Sequence, residues 1–394
     1  MKNILVVSED FYPPLGGTIT YTHHLCNELV KCGYCVTLLT PHSSEYDKEY
    51  DKQFQYTIER FGKYIANSTL RRIYTSIFIS RHLNQYLKKY KTDLIHVSAG
   101  QYIIFGLTLS PSISPPVIWT IHNVAPAEVQ PLQLLTNSSL NIMINRIYRY
   151  VLKLVDQFII RYGHYNQLIS VSEATYIKLV NAGVDPQITS IIPNGVPAPR
   201  LRIQEINKLD KFTILVVGRV IPHKGQYQML LALSQIINII PNTHCIFVGP
   251  ISEGSYSQKI QAYVRENFTD EVTFAGAISD DELESFYDIC DVYVQPSYQE
   301  GFSITIMEAM IRGKPVIGTN TGAIAMLVDD ERGILIQSPE PKLISDAVIY
   351  MYLHPDFRMS CAKRGQKYII DNYEWKNIIK KIINIYDEVL QVKI

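Results

Sequence analysis

The chain of 394 residues is short of several things, and each shortage excludes a class of protein. Only 6 residues are cysteine, too sparse for a disulfide scaffold in a chain of this length. Cys32 and Cys35 make a C-x-x-C, but no second pair accompanies them and the motif straddles Gly33 at a helix-to-strand junction. Incidental buried thiols explain it better than zinc or redox chemistry. No stretch reaches the roughly 18 uninterrupted apolar residues of a membrane span. The richest one, Tyr102 to Trp119, is broken by Pro111, Pro115 and Pro116. No D-x-D and no His/Cys cluster with metal-ligand spacing occurs, which removes the simplest divalent-metal route to stabilising a phosphate leaving group. The G-x-G-x-x-G fingerprint is missing, which weakens a dinucleotide-dependent oxidoreductase reading. Net charge is missing too: 37 Lys and Arg face 37 Asp and Glu. That argues against a strongly basic nucleic-acid protein and against an acidic tail.

What is present is globular: 47% hydrophobic and 19% charged residues, in a length that makes two domains the first expectation. The start, Met1 to Asn3 followed directly by Ile4 to Val7, lacks the apolar region and cleavage site of a signal peptide and reads as a first strand, which points to the cytoplasm. Short β-branched runs alternate with helix-length amphipathic segments, the pattern of parallel sheets with helical crossovers. Ile4–Ser8, Cys35–Thr40, Asp93–Ser98, Val117–His122 and Leu168–Ser172 form a first series of strands. Between the first two, Thr18 to Lys31 puts Thr22, Leu25, Cys26, Leu29 and Val30 on one helical face. A polar stretch, Pro193–Asp210, is the best candidate linker. A second series follows: Phe212–Gly218, His244–Gly249, Val272–Ala275, Asp291–Gln295, Pro315–Thr319 and Gly333–Ile336, with helices Gly225–Ile240, Asp280–Cys290 and Phe302–Arg312 between them. The fold class is therefore α/β: two doubly wound, Rossmann-like domains, 1–195 and 211–372, facing a cleft, with ligands at the carboxyl ends of their strands. The last segment, 373–394, is a helix pattern with no strand after it and could pack back on the first domain.

The strongest local signal is the run from Pro296 to Met310, after a strand and into a helix. It sets Glu300 in the loop and Glu308 about two turns into the helix. Amides around Gly301, Phe302, Ser303 and Ile304 are the unpaired donors of a first helical turn, suited to a phosphate. Two carboxylates repel phosphate but accept hydrogen bonds from vicinal hydroxyls, so a ligand with both phosphate and sugar accounts for both features. A solvated loop acid beside a helix-surface acid accounts for the spacing equally well. The second signal, Val217 to Gly225, offers Arg219 and Lys224 at another strand end. Two fixed cations there can neutralise a diphosphate leaving group without a metal, though singly each also reads as a surface cation. In the first domain, Gly16 and Gly17 permit close backbone approach and positive φ, and His122 ends a strand. A Gly-Gly turn and a lone histidine are more often structural.

Taken in order, Gly16-Gly17, Thr120-Ile121-His122, Ile192-Pro193-Asn194-Gly195-Val196, Gly218-Arg219 with Lys224-Gly225, Glu300 with Glu308, and Gly313-Lys314-Pro315-Val316-Ile317 closely resemble glycosyltransferase family 4, retaining enzymes of the GT-B fold that use nucleotide sugars. The resemblance runs from residue 3 to about residue 330, and the last helix with Trp375 is similar to the family's crossover helix. It implies a hexosyltransferase that moves sugar from a nucleoside diphosphate to the hydroxyl of a glycan, lipid-linked glycan or other acceptor. The nucleotide sugar is a co-substrate, no cofactor or metal is implied, and nucleic acid is not a partner. By the same resemblance Glu300 contacts donor-sugar hydroxyls and Glu308 holds the ribose diol. Arg219 and Lys224 bind the diphosphate with help from Gly16 and Gly17, and His122 lies close to the reacting sugar. Backbone near Gly276 to Ser279, including Ile278, lies near the nucleobase. Ser303 departs from the pattern, standing where many members have a second glycine; Asn123 departs too, where many have an acid. A non-catalytic subunit that binds the nucleotide sugar is the alternative, although the intact set of two glutamates and two cations argues against it.

The zero charge conceals an asymmetry: residues 1–200 carry 18 basic against 13 acidic side chains, leaving 19 against 24 for the rest. Twelve basic residues from Arg60 to Arg161 meet only Asp93, Glu128 and Asp156. Interleaved with Tyr64, Ile65, Ile73, Tyr74, Ile77, Phe78, Tyr148, Tyr150 and Phe158, they suit docking on anionic lipid headgroups. Solvated faces of ordinary helices give the same pattern.

Overall fold

The computed structural model describes residues 1–13, 16–44, 47–65, 68–108, 113–122, 154, 157–199, 210–251, 254–329 and 331–391. Most of the candidate linker, Asn123, and the basic residues Arg146, Arg149 and Lys153 lie outside them; so do the side chains of Arg71 and Arg72. The chain divides into two units, Met1–Gly195 with Trp375–Ile394, and Val196–Glu374.

The first unit is built on β1 (Asn3–Ser8), β2 (Cys35–Pro41), β3 (Thr57–Phe61), β4 (Leu94–Ala99), β5 (Val117–Ile121), β6 (Gln167–Ser170) and β7 (Thr189–Ile191). They form one sheet in the order β3-β2-β1-β4-β5-β6-β7, every pair parallel. Central strands are buried on both faces: each residue of β4 and β5 is buried, as near-continuous apolar runs require. The edge strands β3 and β7 escape the sequence reading. β3 carries Glu59 and Arg60 and is mostly half-buried, and β7 is three residues long, the polar and short character that protects sheet edges.

Two helices cover one face of this sheet. Gly17–Lys31 buries Ile19, Tyr21, Thr22, Leu25, Cys26 and Leu29, and Trp375–Gln391 buries Trp375, Ile378, Ile379, Ile382, Ile385, Tyr386 and Val389. The three-and-four spacing of both sets makes single apolar stripes, and they join one core with Ile4, Val6, Leu94 and Ile169. The returning helix starts at Trp375; the residues before it, Pro355–Tyr373, form a separate helix of the second unit. Cys32 and Cys35 are exposed, which corrects the expectation of buried thiols: one follows the helix end and the other is the first residue of β2, both at the surface.

The second unit has β8 (Phe212–Val217), β9 (Thr243–Val248), β10 (Val272–Gly276), β11 (Val292–Gln295), β12 (Val316–Thr319) and β13 (Ile334–Ile336). Their order is β10-β9-β8-β11-β12-β13, again all parallel. In each sheet the strand order reverses once, between β1 and β4 and between β8 and β11. Chain crossovers leave in opposite directions at such a point and open a crevice at the carboxyl ends of the two strands.

Candidate functional site

The loops that leave β8 and β11 flank the reversal in the second sheet, and they carry Arg219, Lys224 and Glu300. After β8 the chain makes a single 3-10 turn, Pro222–Lys224, then enters the helix Gln226–Ile237 through Gly225 at φ 72°. A Cβ on Gly225 would stand 1.8 Å from the carbonyl oxygen of Pro296, so only glycine lets this turn rest on the β11 loop. The amide of Tyr298 donates to the carbonyl of His223 over 2.8 Å and fastens the two loops.

That contact brings Lys224 to Glu300. The ammonium donates to Glu300 Oε1 at 2.5 Å, with side chains only 20% and 10% exposed. The same oxygen accepts from Gln295 Nε2 at 2.8 Å and from Ser297 Oγ at 2.9 Å. Arg219 lies on the same loop; its carbonyl accepts from Gln226 Nε2 at 2.8 Å while its side chain is exposed. His223, between the cations, is pushed below its ordinary pKa by burial and then by the Lys224 charge.

Glu308 sits on the helix Ile304–Ile311, one turn in rather than two, because the helix starts at Ile304 and not at Phe302. Its Oε2 accepts from the Tyr287 hydroxyl at 2.8 Å. Burial raises the carboxyl pKa to about 7; the Tyr287 hydrogen bond opposes that shift and the charge of Asp280 adds to it. Asp280 opens the helix that carries Tyr287, directly after the half-buried Ile278 and the capping serine Ser279. Gly301 and Phe302 precede the helix, and the Gly301 carbonyl accepts from the amide of Ala323 at 3.2 Å. Ser303 has φ −82° and is the N-cap, its Oγ accepting from the Ile306 amide at 3.4 Å. The serine therefore fits without backbone strain and occupies one first-turn donor that a glycine would leave free.

In the first unit Gly16 is the N-cap of the helix Gly17–Lys31, at φ 173°. Gly16 is extended and neither glycine of the pair lies in the left-handed region, so the positive φ that glycine permits is not used and the pair offers only space at a helix N-terminus. His122 follows β5. Its Nε2 donates to the Ser98 carbonyl at 2.9 Å and its ring meets Tyr21 edge-on at 4.5 Å. Because a carbonyl only accepts, Nε2 carries the proton and Nδ1 presents a lone pair. Burial lowers the His122 pKa to about 4, opposed by the bond to the Ser98 carbonyl.

Three residues in these networks were given no role from sequence: Gln295, Ser297 and Tyr287. Gln295 had a legible signal, a polar residue closing an otherwise apolar strand; Tyr287 looks like an ordinary member of a helix.

Residues 15–200 match the family model Glycosyltransferase Family 4, and residues 199–368 match Glycosyl transferases group 1. The chain belongs to the GT-B glycosyltransferases. It is similar to a sulfoquinovosyl transferase of Arabidopsis thaliana, 24% identical over 78% of this chain and 59% of that protein. It is also similar to a GDP-mannose-dependent phosphatidylinositol monomannoside mannosyltransferase of Mycobacterium tuberculosis, 24% identical over 47% of this chain and 50% of that one. The chain thus spans between half and three fifths of the length of these two relatives. Among solved structures, sucrose-phosphate synthase of Thermosynechococcus elongatus superposes with a TM-score of 0.81 at 22% identity, covering 100% of both chains. At that identity the likeness concerns the fold.

Proposed function

We propose that this chain transfers a hexose-type sugar from a nucleoside diphosphate to an acceptor hydroxyl, without a metal and with retention at the anomeric carbon. The observation that carries the proposal is the convergence of Lys224 and Glu300, from the two loops that flank the reversal of the second sheet, at 2.5 Å. A cation for diphosphate and an acceptor for sugar hydroxyls then stand side by side, and Glu308 on the following helix supplies the carboxylate for a ribose diol.

Chemistry in such a site is electrostatic. Arg219 and Lys224 stabilise charge as it develops on the departing diphosphate, and a leaving-group oxygen takes the acceptor proton on the same face. In the free chain Lys224 is already neutralised by Glu300, so the diphosphate replaces one anionic partner with another and leaves no buried cation bare. His122 and the Gly16–Gly17 turn take their roles, near the sugar and at the diphosphate, from the family resemblance. Ile278 and its loop take the nucleobase on the same ground.

The acceptor is a glycan, lipid-linked glycan or other hydroxyl compound. A cytoplasmic enzyme that touches an anionic membrane through its first unit is part of the proposal, supported by exposed Ile77, Phe78, Phe158 and Tyr162 beside Arg161. Arg60 does not belong to that surface: its side chain is 4% exposed and bonds Asp51 and the Tyr12 carbonyl, each at 2.7 Å. The test is nucleotide release from a panel of UDP- and GDP-sugars with simple acceptors, with the anomeric configuration of the product read by NMR. Release coupled to an α-linked product from an α-linked donor supports the proposal, and binding without turnover across many acceptors supports the non-catalytic alternative.

A further inference from the structure

Glu300 is gripped by one oxygen. Oε1 accepts from Lys224, Gln295 and Ser297, and no bond to Oε2 occurs among the described residues. Gln295, the last residue of β11, is 2% exposed, and the chemistry of its neighbours fixes its amide. A carboxylate oxygen only accepts, so the group 2.8 Å from Glu300 Oε1 is the NH2, which also donates to Ser297 Oγ at 2.8 Å. The carbonyl end then accepts from the Tyr293 hydroxyl and from Thr305 Oγ1, the latter at 3.1 Å. A reversed amide would set a carbonyl against a carboxylate in a buried place. All four hydrogen-bonding positions of the amide are used, and Ser297 in turn gives its only proton to Glu300.

We propose that Gln295 is a positioning residue for donor binding: with Ser297 it anchors Glu300 Oε1, so that Oε2 is the oxygen presented to a sugar hydroxyl. The proposal rests on the donor-site reading above and deepens it. Its consequence concerns Lys224. When a diphosphate draws the ammonium away, two neutral donors still hold Oε1, and the carboxylate keeps its orientation while its ionic partner changes. Without Gln295, the carboxylate would swing with the lysine, and the sugar would have to order it on binding.

The test is isothermal titration of the full chain with UDP-glucose, UDP, GDP-mannose and GDP. It is run for the unsubstituted protein, Gln295→Leu, Glu300→Gln and the double variant, with unfolding midpoints recorded. Gln295→Leu is expected to weaken binding of the preferred nucleotide sugar about tenfold, the loss of one charge-assisted hydrogen bond, and to change binding of the bare nucleotide by less than about twofold. In the Glu300→Gln background the same change is expected to add nothing. Equal losses for nucleotide and nucleotide sugar, or full additivity with Glu300→Gln, would overturn the positioning role. If instead the unsubstituted protein binds no nucleotide sugar, or Glu300→Gln leaves the ratio of nucleotide-sugar to bare-nucleotide affinity unchanged, the donor-site reading itself fails. Should Gln295→Leu not fold, Gln295→Met and Ser297→Ala are measured the same way.

Discussion

Lys224 and Glu300 form an ion pair at 2.5 Å between the two loops that flank the reversal of the second sheet. Each is the other's partner in the free chain, and under the proposed function each becomes the ligand's partner when a donor binds. The pair keeps both charges compensated in a place where each side chain is mostly out of water, and a bare buried charge there would cost several kcal/mol.

A competition follows from that pair. Glu300→Gln releases Lys224 and removes a carboxylate from beside the phosphates, so affinity for bare nucleoside diphosphate is expected to rise several-fold, on the order of 1 kcal/mol, while transfer falls. Lys224→Ala is expected to weaken the same binding by about 1 to 3 kcal/mol. Calorimetric titration of both variants checks the opposite signs; a fall in both would mean that Glu300 does not compete for the lysine.

Under the proposed function, Glu308 is expected to make donor binding depend on pH. Its pKa is raised to about 7 from 4.5, chiefly by burial. A raised carboxyl pKa favours folding fully below the unfolded value, and that contribution is lost as pH rises through about 7. Glu308→Gln, which does not titrate, should therefore gain stability relative to the unsubstituted chain between pH 5 and 8, by about 2 kcal/mol after discount for partial solvent contact. Nucleotide affinity should move the other way, since the ionised carboxylate is the better acceptor for a diol: it strengthens as pH rises towards 8 in the unsubstituted chain and stays flat in Glu308→Gln. Denaturation and titration at matched pH values test both halves.

His96 acts in the reverse sense. It is fully buried between the Tyr386 hydroxyl at 2.5 Å and Thr120 Oγ1 at 2.7 Å, and burial lowers its pKa to about 3. A depressed histidine pKa contributes stability above the unfolded value of 6.5 that is lost as pH falls through the folded one. The first unit is thus expected to weaken below about pH 6. Tyr386→Phe, which leaves a buried ring nitrogen without its partner, is expected to cost about 1 to 3 kcal/mol at neutral pH. Equal unfolding midpoints for Tyr386→Phe and the unsubstituted chain would show that the bond contributes nothing.

Much of this was legible in the sequence, and the rest fails for identifiable reasons. Strands such as Phe212–Val217 announce themselves because both faces are buried, whereas Thr57–Phe61 at the edge carries charge and is not picked out as a strand. Gly195 and Trp375 were each noticed, but not that they touch. A Cβ on Gly195 would come within 2.5 Å of the indole, which is why a glycine stands there, and contact over such a separation in the chain leaves no local trace. Lys224 and Glu300 were legible as strand-end residues; their pairing depends on Gly225 lying against Pro296, a tertiary fact. Gln295 was passed over because a polar residue closing an apolar strand is a weak signal, and its hydrogen bond to Glu300 leaves no motif.

That contact gives its own prediction. Gly195→Ala is expected to destabilise the first unit by about 1 to 3 kcal/mol through overpacking against Trp375, and Trp375→Ala by about 3 to 5 kcal/mol through the cavity it leaves. Thermal unfolding of each variant measures it, and an unchanged midpoint for Gly195→Ala would show that the indole has room to move.

Donor turnover tests the central claim most directly. Nucleotide release from UDP- and GDP-sugars is measured by mass spectrometry for the unsubstituted chain, Arg219→Ala, Lys224→Ala and Glu308→Ala. The account predicts release from at least one donor, reduced about a hundredfold or more in each variant, as expected when a group that stabilises the leaving diphosphate or holds its nucleoside is removed. Turnover that is unchanged in all three variants would contradict it.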